Sequence, residues 1–137
     1  SINFNNNFNT SKATSMYAMF DECSSLTSLD LSSFNTSNVT NMNYMFSDCS
    51  SLTQLNLSNF NTANVIGMRE MFCRCEKLVS LDLSNFKITD ETYTDDMFEG
   101  CISLKTIRVT NCDQKTKERI RMALKEAEID SQVKFIN

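Results

Sequence analysis

The chain repeats one 26-residue pattern with no insertion or deletion between copies. Four consecutive copies begin at equivalent phenylalanines, which are Phe8, Phe34, Phe60 and Phe86. A single copy of this size cannot bury its own apolar side, so copies with a fixed period in this range stack and bury a core between neighbours. The repeat therefore restricts the chain to an architecture in which equivalent residues of successive copies lie next to one another.

Besides the starting phenylalanine, six positions of the repeat are apolar in all four copies, and we expect each to form a stacked column. The columns are Met19, Met45, Met71 and Met97; Phe20, Phe46, Phe72 and Phe98; Cys23, Cys49, Cys75 and Cys101; Leu26, Leu52, Leu78 and Leu104; Leu29, Leu55, Leu81 and Ile107; and Leu31, Leu57, Leu83 and Val109. These columns predict a continuous core along the four copies.

One part of each copy has strand periodicity. The spacing of Leu52, Leu55 and Leu57 is that of a leucine-rich repeat. Since side chains alternate across a strand, this spacing places the leucines in the core and predicts that Gln54 and Asn56 face solvent.

The other part of each copy has an apolar spacing close to that of a helix. Val39, Met42, Met45 and Phe46 follow one another at intervals of three, three and one. This spacing predicts that they share one face of a short helix or 3₁₀ turn that returns the chain to the next strand. The predicted fold class is therefore an α/β repeat solenoid, a right-handed leucine-rich-repeat-like coil with short parallel strands, short helical returns and a C-terminal helix–strand cap.

We interpret the chain as one domain in three parts. Residues 1–7 are predicted to form an N-terminal partial coil, residues 8–111 the four repeats and residues 112–137 a C-terminal cap. In the cap, Asp113 is a candidate N-cap for a helix from Gln114 to about Glu128. Its apolar face would hold Ile120, Ala123, Leu124 and Ala127, and its outer face would be basic, with Lys115, Lys117, Arg119, Arg121 and Lys125. Val133–Ile136 is predicted to form a final strand.

In each copy, we call the segment that leads the chain back to the next strand the return. The fourth copy departs from the repeat pattern in this segment. Glu91 and Thr94 replace the valine and methionine of earlier copies, and we expect Ile88 and Tyr93 to supply the missing apolar cover. The same segment carries an acidic group, Asp90, Glu91, Asp95 and Asp96. This group lacks the spacing and the glycine of an EF-hand loop, so we interpret it as a solvated corner rather than a calcium site.

The six cysteines favour free thiols over disulfides. Four of them share one column, and strands of a sheet lie about 4.8 Å apart with parallel side chains. That arrangement does not suit the geometry of a disulfide. Cys73 is predicted to be exposed and Cys112 can be free, although the sequence leaves open whether either forms a disulfide. With no histidine and no Cys-x-x-Cys pair, no zinc site is predicted.

Composition argues against several classes of function. The chain has no histidine to serve as a catalytic base and no glycine-rich phosphate loop, so no enzyme activity and no cofactor are predicted. A net charge of −4 argues against a protein that binds nucleic acid or anionic membranes. No apolar run approaches the roughly 18 residues of a membrane-spanning helix, and no signal peptide is recognisable. We interpret the chain, which opens on a half-coil, as a mature form or a fragment.

The ordered polar residues lie on the predicted strand face, where outward positions vary while core positions repeat. Such a face is typical of a recognition surface in stacked repeats. The candidate binding face consists of Ser28, Asp30, Gln54, Asn56, Ser80, Asp82, Thr106 and Arg108.

The run MFxxCxSLxxLDLSxFNTSxVxxM, which begins at Met19, resembles the 26-residue repeat of BspA-like bacterial surface proteins. Similar repeats occur in mycoplasma-type surface lipoproteins and in the treponemal leucine-rich repeat. The resemblance covers residues 8 to about 110. It implies a non-catalytic adhesin-type module, at the cell surface or secreted, that binds host extracellular-matrix or plasma proteins such as fibronectin or fibrinogen, or another surface protein. We expect the module to be a monomer. The alternative is a structural spacer that holds another domain away from the cell surface.

Overall fold

The structure is a computed structural model and describes residues 1–5 and 7–137. Its regular elements are β1 (Gln54–Asn56), β2 (Ser80–Asp82), β3 (Thr106–Arg108), α1 (Gln114–Glu126) and β4 (Lys134–Ile136). The four strands form one parallel sheet in the order β1-β2-β3-β4. The chain is thus a small α/β repeat fold, with one strand from each of the last three repeats and one from the C-terminal segment. No helix in these residues is both long and apolar enough to cross a membrane.

The sheet has the register of the sequence repeat. Leu55 pairs with Leu81, and Leu81 pairs with Ile107, so equivalent residues of successive repeats are adjacent. These three side chains are buried, while Gln54 and Asn56 are exposed. The predicted alternation of the strands is therefore confirmed.

The apolar columns form the core. In the last three repeats the methionine, phenylalanine and cysteine columns are fully buried. The rings of Phe46 and Phe72 stack with their centroids 5.8 Å apart, and those of Phe72 and Phe98 stack at 5.7 Å. Identical residues thus pack on one another along the stack, as the repeat predicts.

The N-terminal end is less regular. The predicted partial coil 1–7 includes residue 6, which lies outside the described residues. In the rest of it, Ile2 forms an isolated parallel bridge with Leu29. In the first repeat, the residues that correspond to the later strands form this single bridge and no strand.

The prediction of helical returns was wrong. Residues 43–48 form consecutive turns, and their N–H groups do not bond to carbonyls four residues earlier. Instead Tyr44 N–H donates to the carbonyl of Arg69 and Phe46 N–H to that of Met71, both at 2.9 Å. Tyr44 and Asp48 have φ angles of 62° and 59°, which a right-handed helix does not contain. The N–H groups of Met45 and Ser47 do close turns within the return, each to the carbonyl three residues earlier at 3.2 Å. Because the N–H groups between them bond to the next repeat, these single turns do not join into a helix.

Every return has the same backbone path. Two residues with positive φ, four positions apart, recur in each copy: Ala18 and Glu22, Tyr44 and Asp48, Glu70 and Arg74, and Asp96 and Gly100. Before these turns, a ladder of parallel bridges joins Ser15, Asn41, Gly67 and Tyr93. The repeats are therefore joined by backbone hydrogen bonds on the return side as well as on the strand side.

Buried threonines add a second set of contacts between repeats. The hydroxyl of Thr36 donates to the carbonyl of Asn61 at 2.9 Å and accepts from the N–H of the same residue at 2.8 Å. Thr62 makes the same pair of bonds to Lys87. Because these hydroxyls are buried and both bonds are made, they hold successive corners together without an unpaired polar atom.

The C-terminal segment forms the predicted cap with slightly different limits. The side chain of Asp113 accepts a hydrogen bond from Thr116 N–H at 2.8 Å, which confirms it as the N-cap of α1. The helix ends at Glu126 rather than near Glu128, which has a φ of 60°. Strand β4 begins at Lys134 rather than at Val133.

Arg119 is the cap residue whose position the sequence did not predict. We expected it on the basic outer face of α1, but its side chain is only 15% exposed. Its guanidinium donates to the carbonyls of Thr89 and Thr92 and to the hydroxyl of Thr94. The carbonyl that corresponds to Thr92 in the first repeat, that of Thr14, accepts a backbone N–H from the following repeat. Arg119 therefore takes the place of a fifth repeat at this carbonyl.

The irregular return of repeat four contacts both the preceding repeat and the C-terminal cap. Ile88 is fully buried as predicted, but Tyr93 is 51% exposed, so its predicted role in apolar cover was wrong. The ring of Tyr93 instead lies under the guanidinium of Arg69, 4.1 Å from the ring centroid. On the inner side, the hydroxyl of Thr116 accepts a hydrogen bond from Ile88 N–H at 3.0 Å.

Leu55→Ala tests the assignment of the strand faces. Leu55 is 3% exposed, and its truncation should lower the free energy of unfolding by about 2 to 5 kcal/mol because it leaves a cavity in the core. The neighbouring exposed residue provides the control, since Thr53→Ala should change stability by less than about 0.5 kcal/mol. Urea unfolding measures both, and equal effects would show that the faces are assigned wrongly.

Arg119→Met tests the cap. It removes a charged donor from backbone carbonyls in a partly buried site, and we expect a loss of about 2 to 3 kcal/mol in the free energy of unfolding. Lys125→Met removes the same charge from an exposed position on the same helix and should cost less than about 0.5 kcal/mol. A matching small effect of both substitutions would exclude the capping role.

Candidate binding surface

Six of the eight residues of the candidate binding face line one groove on the outer side of the sheet. The groove has a volume of about 240 Å³ and crosses β1, β2 and β3. The six residues are Gln54, Asn56, Ser80, Asp82, Thr106 and Arg108. Ile136 of β4, which the sequence analysis did not include, closes one end of the groove because it pairs with Arg108 in the sheet.

The two residues from the first repeat lie outside this groove. Asp30 lines a smaller hollow of about 140 Å³, which it shares with Asn56 at the neighbouring strand end. Ser28 is exposed and lines neither depression. The structure thus brings together the predicted residues of repeats two to four, and Asn56 connects them to Asp30.

Three of the predicted contact residues also have a role in the fold. Asp30, Asn56 and Asp82 each accept, through Oδ1, a hydrogen bond from the N–H two residues later, at 3.0, 2.9 and 3.0 Å. These are Asx turns, in which the side chain ends the strand and starts the following turn. Hydrogen bonds from the hydroxyl and then the N–H of Ser32 hold the pKa of Asp30 below its usual range. The recurrence of Asp and Asn in this column therefore has a structural cause.

Arg108 breaks the column and changes the charge of the groove. It occupies the position of Asp82 in the next repeat, and its Nε lies 3.9 Å from a carboxylate oxygen of Asp82. It also donates to the backbone carbonyl of Asn137 at 3.1 Å. One end of the groove consequently combines a carboxylate, a guanidinium and the apolar side chain of Ile136.

One asparagine in each of repeats two to four makes contacts between repeats that were not predicted from the sequence. Asn59 donates through Nδ2 to the carbonyls of Leu31 and Phe34, both at 3.0 Å. In the next two repeats, Asn85 donates to the carbonyl of Ser58 and Asn111 to the side chain of Asn85. Their 26-residue spacing could have identified them as contacts between repeats.

The acidic group of repeat four faces the cap and a neighbouring arginine. Asp90 lies 3.3 Å from Nζ of Lys115, and Asp95 accepts from Nε of Arg69 at 2.8 Å. The N–H of Asp96 donates to the side chain of Glu126 at 3.2 Å. Among the described residues, no group of cysteine and acidic side chains is arranged to hold a metal ion.

The cysteine column is a series of free thiols, which are buried except for half-buried Cys23. All six cysteines are unpaired in the structure, which describes every one of them. The thiol of Cys49 donates to the carbonyl of Phe20 at 3.2 Å, and Cys75 and Cys101 make the same contact with the preceding repeat at 3.1 and 3.0 Å. Cys112 continues the pattern outside the column, donating to the carbonyl of Leu83 at 3.1 Å.

The expected exposure of Cys73 was wrong, because it is only 2% exposed. Ser47, at the same position of the preceding repeat, is also buried, whereas Asp21 is half-buried and Glu99 is exposed. At this position small side chains are buried and longer charged ones reach solvent. Burial raises the pKa of the Cys73 thiol to about 11.

The buried thiols predict a fall in stability at alkaline pH. Burial raises the pKa of Cys49 and of Cys101 to about 12, above the ordinary thiol value of 9.0. The unfolded chain therefore loses these protons first, so that their contribution to stability is complete below pH 9 and is lost as the pH rises towards 12. Urea unfolding between pH 8 and pH 11 should show a declining free energy.

Cys49→Ala provides the control for this pH dependence. The variant should be less stable at pH 8 but should lose less further stability up to pH 11, since lysine and tyrosine titrations are common to both proteins. Parallel pH profiles for the two proteins would contradict a contribution from the Cys49 thiol.

Comparison with known proteins places the repeats in a family. A family model described as a Mycoplasma protein of unknown function, DUF285, matches residues 2–113, which include all four repeats. No curated protein and no solved structure matches the chain. The matched segment makes up most of the 137 residues. The chain therefore belongs to the DUF285 family of Mycoplasma proteins.

Proposed function

We propose that the chain is a non-catalytic, adhesin-type protein-binding module of a bacterial surface protein, related to the BspA-like proteins that its repeat resembles. In this proposal the four repeats form a right-handed leucine-rich-repeat-like solenoid, displayed at the cell surface or secreted as a monomer. The parallel sheet and the contacts between equivalent residues of successive repeats support the solenoid.

The main support for the binding proposal is the groove on the outer side of the sheet, which we call the strand-side groove. Six variable side chains from three repeats line it, while the leucines between them are buried in the core. The side chains of Gln54, Ser80 and Thr106 make no hydrogen bond within the described residues. These three polar side chains are therefore available to form hydrogen bonds with a partner.

The shape and charge of the groove favour a protein segment as the partner. The groove crosses three strands and has amide, hydroxyl, carboxylate and guanidinium groups, with an apolar side chain at one end. Extended polypeptides match such a surface because they present polar backbone groups and side chains at regular intervals. Host extracellular-matrix or plasma proteins, or another surface protein, are the proposed partners.

A structural spacer is the second candidate, and the Asx turns favour it. Asn56 and Asp82 contribute to the groove, but one oxygen of each side chain is already used to end its strand. A spacer needs regular contacts between repeats and no free recognition groups. The two functions therefore differ in whether Gln54, Ser80 and Thr106 contact another molecule.

Gln54→Arg tests the binding proposal. The substitution places a long charged side chain in the groove at a residue with no role in the fold, so saturable binding to the partner should weaken at least about tenfold, which is about 1.4 kcal/mol. Surface plasmon resonance on a panel of immobilised matrix and plasma proteins, including fibronectin and fibrinogen, measures the effect.

Ala63→Arg is the matched control. It adds the same charge at an exposed residue outside the groove and should leave both binding and stability unchanged. Equal weakening by both variants would indicate a general charge effect, and no loss with Gln54→Arg would place the site elsewhere. Absence of binding to every protein on the panel would favour the spacer.

A further inference from the structure

A second depression adjoins the strand-side groove. It has a volume of about 420 Å³ and lies at the N-terminal ends of β3 and β4. We call it the lysine hollow, and its lining residues are Ile102, Ser103, Lys105, Thr106, Gln132 and Lys134. Thr106 also lines the strand-side groove, so the two depressions meet at that residue.

Hydrogen bonds to the backbone fix the two sides of the lysine hollow. The N–H of Lys134 donates to the carbonyl of Lys105 at 2.9 Å, so the two lysines lie on neighbouring segments of the sheet. Gln132 donates through Nε2 to the carbonyls of Ile102 and Leu104, at 3.1 and 2.9 Å. The segment that leads into β4 is therefore held against the segment that leads into β3, and the hollow has a defined shape.

The charge of the lysine hollow is positive and unbalanced. Lys105 and Lys134 are both exposed, no carboxylate lines the hollow, and neither lysine forms an ion pair among the described residues. By contrast, Lys87 lies 3.0 Å from a carboxylate oxygen of Asp113. Two like charges that line one hollow repel each other, and a bound anion removes that repulsion.

The larger cleft beside α1 does not have this unbalanced charge. It has a volume of about 720 Å³ and is lined by three cationic and three anionic side chains. These belong to Lys115, Arg119, Lys125, Asp90, Glu118 and Glu126. Of these two depressions at the C-terminal end, only the lysine hollow has cations without an acidic side chain to balance them.

The lysine hollow also has an apolar wall. Ile102 is 68% exposed, whereas the equivalent positions of the preceding repeats hold the polar residues Ser24, Ser50 and Glu76. Lys105 departs from its own column in the same way, since that column has no charged residue in repeats one to three. Both changes occur in repeat four, so one surface combines positive charge with an exposed aliphatic side chain.

The charge of the whole chain restricts what can enter the lysine hollow. The formal net charge is −4, so a large polyanion would meet acidic surface around the hollow. At physiological salt the Debye length is about 8 Å, which screens the distant carboxylates but not the two lysines in contact with a bound group. A single carboxylate on a polypeptide fits this arrangement better than an extended anionic surface.

We propose that the lysine hollow is a carboxylate-binding subsite of the strand-side groove, and that the partner is an acidic segment of an extended polypeptide. This inference rests on the proposed binding function, because the segment that enters the hollow is the one that occupies the groove. Its glutamate or aspartate would accept charge-assisted hydrogen bonds from Lys105 and Lys134. A neighbouring aliphatic side chain of the segment would pack on Ile102.

Two labelled peptides test the proposal. Strands β1 to β4 together span about 14 Å, which an extended chain covers in about five residues, so a peptide of about nine residues reaches both depressions. One peptide repeats serine, glutamate and valine, and the other has glutamine in place of each glutamate. Fluorescence anisotropy at low salt should show saturable binding of the glutamate peptide, at least about fivefold tighter than that of the glutamine peptide.

Lys105→Gln combined with Lys134→Gln identifies the lysines responsible. This double variant should bind the glutamate peptide about fivefold more weakly, as expected for two exposed ion pairs, and should bind the glutamine peptide unchanged. The matched control combines Lys12→Gln with Lys125→Gln, which removes the same charge from exposed lysines outside the hollow. The control should bind both peptides with unchanged affinity.

The outcomes separate the subsite from the groove. Equal weakening by the two double variants, equal affinity of the two peptides or no saturable binding of the glutamate peptide would each overturn the subsite. If Gln54→Arg weakens both peptides while the lysine variant changes neither, the groove binds polypeptide and only the subsite is wrong. Weakening by the lysine variant but not by Gln54→Arg would show an anion site separate from the groove, which also contradicts the proposal.

Discussion

Backbone hydrogen bonds between successive returns are the interaction on which the rest of this structure depends. They join residues 25 positions apart, such as Phe46 and Met71, and so fix the distance and register between repeats. Once that register is set, equivalent side chains must stack, and the rings of Phe46 and Phe72 are parallel for this reason. The fold is consequently stabilised by neighbouring repeats, as is typical of quasi-one-dimensional repeat proteins.

The sequence predicts the columns and the strands well because they follow directly from the repeat period and from alternation. It does not predict the returns, since the apolar spacing of Val39, Met42 and Met45 fits a helical turn and a stepped path equally well. Positive φ is usually signalled by glycine or asparagine. Asp48, Asp96 and Gly100 are of types that favour this conformation, but Tyr44 and Glu70 adopt it at the equivalent positions. Residue type therefore does not mark the pattern in every copy, and contacts with the next repeat determine the conformation.

For the candidate binding surface too, the sequence predicts some features and leaves others undetermined. Alternation predicts that the outward residues share a face, and six of the eight lie along one groove. It does not distinguish residues that serve the fold from those that are free, because the Asx turn of Asp82 and the open side chain of Gln54 have the same outward pattern. Nor does helical periodicity place Arg119 correctly, since its partners are carbonyls of another element. Roles that depend on which backbone groups a side chain bonds, near or far in the sequence, are therefore the ones that the sequence leaves undetermined.

Through-hydrogen-bond scalar couplings, measured by NMR on the isotopically labelled chain, test the contact between returns most directly. A coupling should be observed between the amide nitrogen of Phe46 and the carbonyl carbon of Met71. A second should be observed between the amide nitrogen of Tyr44 and the carbonyl carbon of Arg69. Couplings to carbonyls four residues earlier, such as Phe46 to Met42, would show a helical return. That result would contradict the backbone hydrogen bonds between successive returns.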